Sequence, residues 1–419
     1  MPFSDKIKQI EESFQEVQDK KSQIIVETKA KNADYIARLA DQDPDIFTTG
    51  VTFGDNEIGI FGSQEHQATK VTIQSVSKFF TDLLASQNNP QLLDRLVARE
   101  KTDLRFNAHA SRLSSALNRE NPLLSDYPNK ASSALKSFVD VDRRLDYWLK
   151  DDTYFDKAAN PSVNYGAILT VYASLPDPSV LELPPLDPYN TTQEDVDQLA
   201  QPVIDLLSSM AKTRHESQAK ICTDLQTFIS ELEGAENNRR LIEQMKKHRL
   251  LPESVNSERL LQMYTANCSI YMDVNQLTRA AATLANRGLN RSTQKMVMEP
   301  RIVDKALQTI KHTGLYNGTD GFHAVAGEEV CAKSGVGGVI LGIYPGQGAL
   351  VTISPPLDEK GNSAIGAAMF ECVHKKRFFN PLLQESYMKQ HQCCNQQIAR
   401  LINNRVHSLP AIAASDSIA

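Results

Sequence analysis

Apolar positions in this chain change their period along its length, and each change marks a different kind of element. Over 5–25, Ile7, Ile10, Phe14, Val17 and Ile24 recur at helical spacing among charges, which predicts an amphipathic helix. A short second helix is expected over 32–39. The pattern then turns to β: 47–53 and 57–61 read as strands joined by a Gly54-Asp55-Asn56 turn, and 70–73 as a third strand. Helical sequence resumes in Phe79-Phe80-Thr81-Asp82-Leu83-Leu84-Ala85. Gln74-Ser75-Val76-Ser77-Lys78 therefore sits where a strand hands over to a helix.

From about 86 to 262, β-branched runs become scarce and polar, helix-forming segments dominate. Helices are expected over 136–150, 194–207, 219–232 and 239–247, with Pro202 kinking or dividing the second of these. The Pro-rich stretch 175–188 reads as loop. Helix returns over 257–266 and 274–287, the latter ended by Gly288. The β signal reappears over 339–344 and 349–353 around Pro345-Gly346-Gln347-Gly348, and a helix over 363–373 follows. Beyond it, Leu383, Tyr387, Ile398, Leu401 and Ile402 predict an amphipathic helix within 374–406, ahead of a disordered tail over 408–419. Strands from both ends around a helical middle predict a discontinuous α/β domain, 1–85 with 267–373. Residues 86–266 form the helical domain and 374–419 an extension.

Composition narrows the classes. The 419 residues are 41% hydrophobic and 23% charged, as in an ordinary globular protein with ample core. A net charge of −6 argues against a general nucleic-acid binder. No apolar run reaches the length of a membrane span, and the first residues lack a signal-peptide core. Cys222, Cys268, Cys331, Cys372, Cys393 and Cys394 form no Cys-x-x-Cys pair and no metal spacing, so a cytoplasmic location and no metal are expected. Cys393-Cys394 read as part of an ordinary helix, and His374-Lys375-Lys376-Arg377 as a solvated charged face.

Chemistry changes the picture at Ser75. A serine at a helix start lies where unpaired N–H groups and the helix dipole favour developing negative charge, and Lys78 is one turn away. Ser-x-x-Lys is the signature of serine acyl-transfer enzymes whose partner is a Lys-Thr-Gly strand. Far downstream, Lys333-Ser334-Gly335-Val336 precedes the second hairpin. Lys-Ser-Gly on an edge strand can line a cleft opposite a serine, and the Val336 N–H paired with that of Ser75 would aim two donors at one oxygen.

These motifs fall into a longer ordered series. It comprises Ala33-Asp34-Tyr35-Ile36, Gln74 to Lys78, Val97-Ala98-Arg99-Glu100 with Leu104-Arg105-Phe106-Asn107, and Asn160-Pro161-Ser162-Val163-Asn164-Tyr165-Gly166-Ala167-Ile168. Ser230-Glu231 with Asn238, Tyr264 to Ile270, Ala281 to Asn286 and Gly314-Leu315-Tyr316 come next. Ala332 to Val336, and Ser354-Pro355-Pro356-Leu357-Asp358 with Gly361-Asn362-Ser363, complete it. On these residues, from about 30 to 372, the chain resembles the serine-dependent glutaminases (L-glutamine amidohydrolases). The resemblance implies an α+β serine β-lactamase/transpeptidase-like fold, an antiparallel sheet flanked by helices plus an inserted all-helical domain. It implies Ser75 as nucleophile, Lys78 as general base, Tyr316 as proton shuttle, and an oxyanion hole at Ser75 and Val336. Tyr35, Gln74, Asn164, Glu231, Asn238 and Tyr264 would hold the substrate, with Lys333, Ser334 and Gly335 in support. It implies L-glutamine as substrate, no cofactor, and a homodimer or homotetramer.

Taken singly, the tyrosines also read as core residues, Glu231 and Asn238 as one solvated helix face, and Asn164 as a helix cap. The chain departs from the family in having Lys101-Thr102-Asp103 for Pro-Ser-Gly. It also places the bulky Tyr165 beside Asn164, where it stands to narrow the pocket. Extra sequence lies around 108–157, 173–222 and after 373. Two rival readings follow: a related serine amidohydrolase with a shifted amide substrate, and a retired scaffold binding a protein partner through 108–157 or 374–419.

Overall fold

The computed structural model describes residues 3–54, 57–101, 157–215 and 220–379. In chain order the strands are β1 (Thr48–Phe53), β2 (Glu57–Phe61), β3 (Val71–Thr72), β4 (Cys222–Thr223) and β5 (Ile270–Met272). After these come β6 (Leu289–Asn290), β7 (Lys295–Met296), β8 (Cys331–Gly335), β9 (Val339–Tyr344) and β10 (Gly348–Ile353). The largest sheet runs β2-β1-β10-β9-β8, antiparallel throughout. An early and a late segment of the chain meet inside it, with Thr49 opposite Thr352 and Val51 opposite Leu350.

Strands β8, β9 and β10 are buried residue by residue, because both faces are covered. The Val274–Ala285 helix packs on one face; the Ala364–Lys375 helix packs on the other, flanked by Phe3–Asp19 and Thr319–Ala326. A strand covered on both sides needs apolar residues at successive positions, hence the continuous run at 339–344. This is the α+β arrangement expected of the serine β-lactamase/transpeptidase-like fold. The Asn164–Ser174 helix, buried from Tyr165 to Ser174, packs against the Ser77–Asn88 helix.

Several expected elements differ. The helix over 5–25 is two, Phe3–Asp19 and Lys21–Thr28. The one over 32–39 shrinks to Ala37–Ala40, because Ile36 is extended and the Asn32 side chain donates to the Gln42 carbonyl at 2.6 Å. Side-chain-to-backbone bonds of this kind compete with helix. Pro202 does not divide its helix, which runs Gln193–Ala211 behind a Thr192/Asp195 capping box. Of the 219–232 segment the described part, 220–232, passes through β4, and its helix begins only at Leu225, where Asp224 caps the Thr227 N–H at 2.7 Å. The 136–150 helix, Asp55-Asn56, 104–107, Cys393-Cys394 and the sequence past Phe379 lie outside the described residues. No described helix is long and apolar enough to cross a membrane.

One buried ion pair braces the region that carries Ser75. Arg99 donates to both Asp82 oxygens, at 2.8 and 2.9 Å, and to Thr309 Oγ1 at 2.6 Å. The Asp82 side chain is 1% exposed. The bonds tie the Ser77–Asn88 helix to the Pro300–Thr313 helix. Arg99→Met strands the Asp82 carboxylate and is expected to cost about 3–5 kcal/mol. The check is a lowered urea midpoint at unchanged slope.

Candidate active site

After β3 the chain passes through one 3-10 turn, Gln74–Val76, before the Ser77–Asn88 helix begins. Ser75 thus lies on the turn that feeds the helix, half-buried, with Lys78 one turn further on. Gln74 adopts φ 48°, a left-handed conformation costing about 1 kcal/mol or more for a residue with a side chain. Packing holds it there. β8 ends backbone-to-backbone against the turn: a Cβ on Gly335 would stand 2.5 Å from the Ile73 oxygen, and one on Gly337 2.3 Å from the Thr72 oxygen. Val336, between those glycines, is carried to the same junction.

Lys78 is 3% exposed. Its Nζ donates to the Ser162 carbonyl at 3.2 Å and to Asn164 Oδ1 at 2.6 Å. Burial lowers its pKa from 10.5 to about 8, against opposing pulls from Cys268 and Glu231. Lys333, fully buried on β8, donates to the Gly314 and Ser334 carbonyls at 3.0 and 2.8 Å and meets the Tyr316 hydroxyl at 3.2 Å. Burial, then the charge of Lys78, pushes its amine well below the usual lysine range. The Tyr316 ring lies near both amines, its centroid 5.6 Å from Lys78 Nζ and 4.4 Å from Lys333 Nζ. Its hydroxyl shares a hydrogen bond with Ser75, and burial raises its pKa. Ser75, Lys78, Tyr316 and Lys333 therefore form one connected cluster.

Polar groups surround it. Tyr35 donates to Glu231 Oε1 at 3.0 Å, although 54% of the tyrosine is exposed. Burial raises the Glu231 carboxyl, while hydrogen bonds from Tyr35 and Gln74 and the charge of Lys78 pull it down. Tyr264 donates to Asn164 Oδ1 at 3.0 Å, and Asn164 Nδ2 donates to Asn238 Oδ1 at 3.1 Å. Glu231 and Asn238 do not share a helix: they sit on Leu225–Glu233 and Glu236–Lys247, separated by Gly234-Ala235. Ser334 is fully buried on β8 and supports the site through its carbonyl.

Tyr165 overturns its expectation. It is 0% exposed within the main apolar core, since successive helix positions point about 100° apart and the one after Asn164 faces inward. Lys101 pairs with Asp320 at the surface. In the basic run, His374, Lys375 and Lys376 pair with Glu329, Glu371 and Glu16. Sequence reasoning missed Ser162, which acts through a backbone carbonyl and so leaves no side-chain signal. It also missed Cys268, whose Sγ lies 3.9 Å from Ser77 Oγ and whose pKa burial raises to about 11. That cysteine stood within a matching stretch.

A family model described as Glutaminase matches residues 30–127 and 142–380. The glutaminase of Bacteroides thetaiotaomicron is 27% identical over 374 residues, covering 89% of this chain and 94% of its own. That of Parabacteroides distasonis is 26% identical over 355 residues, covering 84% of this chain and 89% of its own. A solved probable glutaminase superposes with a TM-score of 0.61 at 23% identity, across 87% of this chain and 97% of its own.

Proposed function

The chain belongs to the glutaminase family, and on that premise we propose that Ser75 hydrolyses the side-chain amide of L-glutamine through an acyl-enzyme. Ser75 Oγ attacks the amide carbon and its proton passes to Lys78 Nζ. The N–H groups of Ser75 and Val336 receive the oxyanion. The C–N bond breaks as the leaving nitrogen takes a proton from Tyr316 or Lys78, releasing ammonia. Water then attacks the Ser75 ester, giving its proton to Lys78, and L-glutamate leaves as Ser75 is re-protonated.

The observation that carries this reading is the Lys78 amine. A neutral amine has two N–H groups and one lone pair, and both N–H groups are taken up by the Ser162 and Asn164 oxygens. What remains is a base. Glu231, with Tyr35 and Gln74, suits the substrate ammonium, and Asn238 suits its carboxylate. Asn164 and Tyr264 complete that side of the pocket. Gly335 supports the oxyanion hole by letting β8 come close, and Lys333 by keeping Tyr316 in place. A homodimer or homotetramer and a cytoplasmic location belong to the same reading. The latter is supported by the absence of a disulfide among Cys222, Cys268, Cys331 and Cys372.

A shifted amide substrate had Tyr165 as its reason, and Tyr165 faces the core. Ammonia release from a panel of amides tests specificity. Glutamine is expected to exceed asparagine, one methylene shorter, by about 10–200-fold in kcat/KM. Asparagine as the better substrate would overturn the assignment.

A further inference from the structure

The amide groups of Asn164 and Asn238 are arranged head to tail. A carboxamide accepts at one end and donates at the other, so two in series turn only together. The first is set by its neighbours. A Lys78 amine that keeps its lone pair for Ser75 has only N–H groups to offer Asn164, so Oδ1 must face it, 2.6 Å away. The Tyr264 hydroxyl reaches the same oxygen at 3.0 Å. Asn164 Nδ2 is thereby directed to Asn238 and donates to its Oδ1 at 3.1 Å. The Asn238 NH2 is left pointing the other way, and it bonds to no other described residue.

We infer that Asn164 is a positioning residue: it converts the orientation of the Lys78 base into the orientation of the Asn238 amide, which then offers N–H donors to the substrate α-carboxylate. The inference rests on the glutaminase reading for the identity of that carboxylate. The relay works in both directions. With Asn238 as its acceptor, Asn164 cannot turn its own NH2 toward Lys78. Were it to turn, that NH2 would compete with Ser75 for the amine lone pair. Carboxylate recognition and base alignment are thus properties of one hydrogen-bonded unit.

Two substitutions in the full-length protein separate this role from simple substrate contact. Asn238→Ala removes the acceptor for Asn164 Nδ2, so that end of the amide is no longer held although Lys78 and Tyr264 still reach its oxygen: KM for glutamine rises and kcat falls, each by about tenfold or more. Asn238→Asp keeps an acceptor oxygen for Asn164 but faces the substrate with an anion. Its KM rises at least as much, while its kcat, taken on the plateau of the pH profile, stays about tenfold above that of Asn238→Ala. Equal kcat in the two variants would overturn the relay.

A second measurement does not depend on turnover. The pH-dependent labelling of Lys78 by an amine reagent, read by peptide mass spectrometry, reports the protonation of that amine. An oxygen facing the ammonium stabilises it and an NH2 facing it does not. The labelling midpoint should therefore fall in Asn238→Ala relative to wild type, with no charge introduced. An unchanged midpoint would overturn the relay. A wild-type protein that releases no ammonia from glutamine would instead overturn the functional reading, and labelling would still decide the relay.

Discussion

Ser75→Ala should lower ammonia release from glutamine by about 10⁴-fold or more, with little change in melting temperature. The expected loss follows from removing the group proposed to form the covalent intermediate. Deleting the nucleophile of a serine hydrolase costs up to about 10⁶ in kcat, and what survives comes from the oxyanion donors and binding. Stability should barely move, because the side chain is half-buried and its hydrogen bond is to Tyr316. One such bond contributes about 1 kcal/mol. Steady-state kinetics beside a circular-dichroism melt checks both halves. Ammonia release within tenfold of wild type would remove Ser75 from the nucleophile role.

Lys78→Met should be nearly as inactive as Ser75→Ala, yet more stable than wild type near neutral pH. Burial brings the Lys78 pKa from 10.5 to about 8. At about 1.4 kcal/mol per tenfold, that is a destabilisation of about 3 kcal/mol when the chain folds below pH 8. The direction is fixed by proton binding. Between the two values the unfolded chain binds the proton and the folded chain does not, so stability climbs as pH rises from about 8 toward 10.5. Below 8 the deficit is constant. Methionine has similar length and no charge, so the variant loses this pH-dependent slope. It gains stability up to the same size, less the two hydrogen bonds forgone. Denaturant melts at pH 7 and pH 10 decide it: a gain that does not shrink at the higher pH would contradict the assignment. In wild type, kcat/KM should climb with pH through about 8, because only the neutral amine accepts the Ser75 proton.

How much of this was legible in the sequence depended on whether the determining contacts were local. The 339–353 hairpin could be read because a strand covered on both faces is apolar at successive positions. Ser75 and Lys78 could be read because one helical turn separates them. The 32–39 helix could not, since Asn32 spends its side chain on carbonyls eight and ten residues away. Taken singly, Glu231 and Asn238 also read as one solvated face, yet the pattern already ended one helix at 232 and began the next at 239, on either side of the Gly234-Ala235 break. Tyr316 and Asn164 were found through the order of family motifs, as no local pattern links positions so far apart, whereas Lys333 was read from its own Lys-Ser-Gly motif. Tyr165 was read by its proximity to Asn164 in sequence, whereas its direction is a property of the helix.

The contact between β8 and the Thr72–Val76 turn has a consequence for how this pocket can change. Gly335 and Gly337 meet carbonyl oxygens with no side chain between them, so in the proposed reaction the place where the substrate oxygen lands is laid out by main chain alone. In the proposed reaction Glu231, by contrast, reaches the substrate ammonium through a side chain on the Leu225–Glu233 helix. Substitution there can redefine which amino acid is admitted while the attacking hydroxyl and its two amide donors keep their spacing. Recognition of the ammonium and reception of the oxyanion are thus written in different parts of the polypeptide, and one can drift without the other.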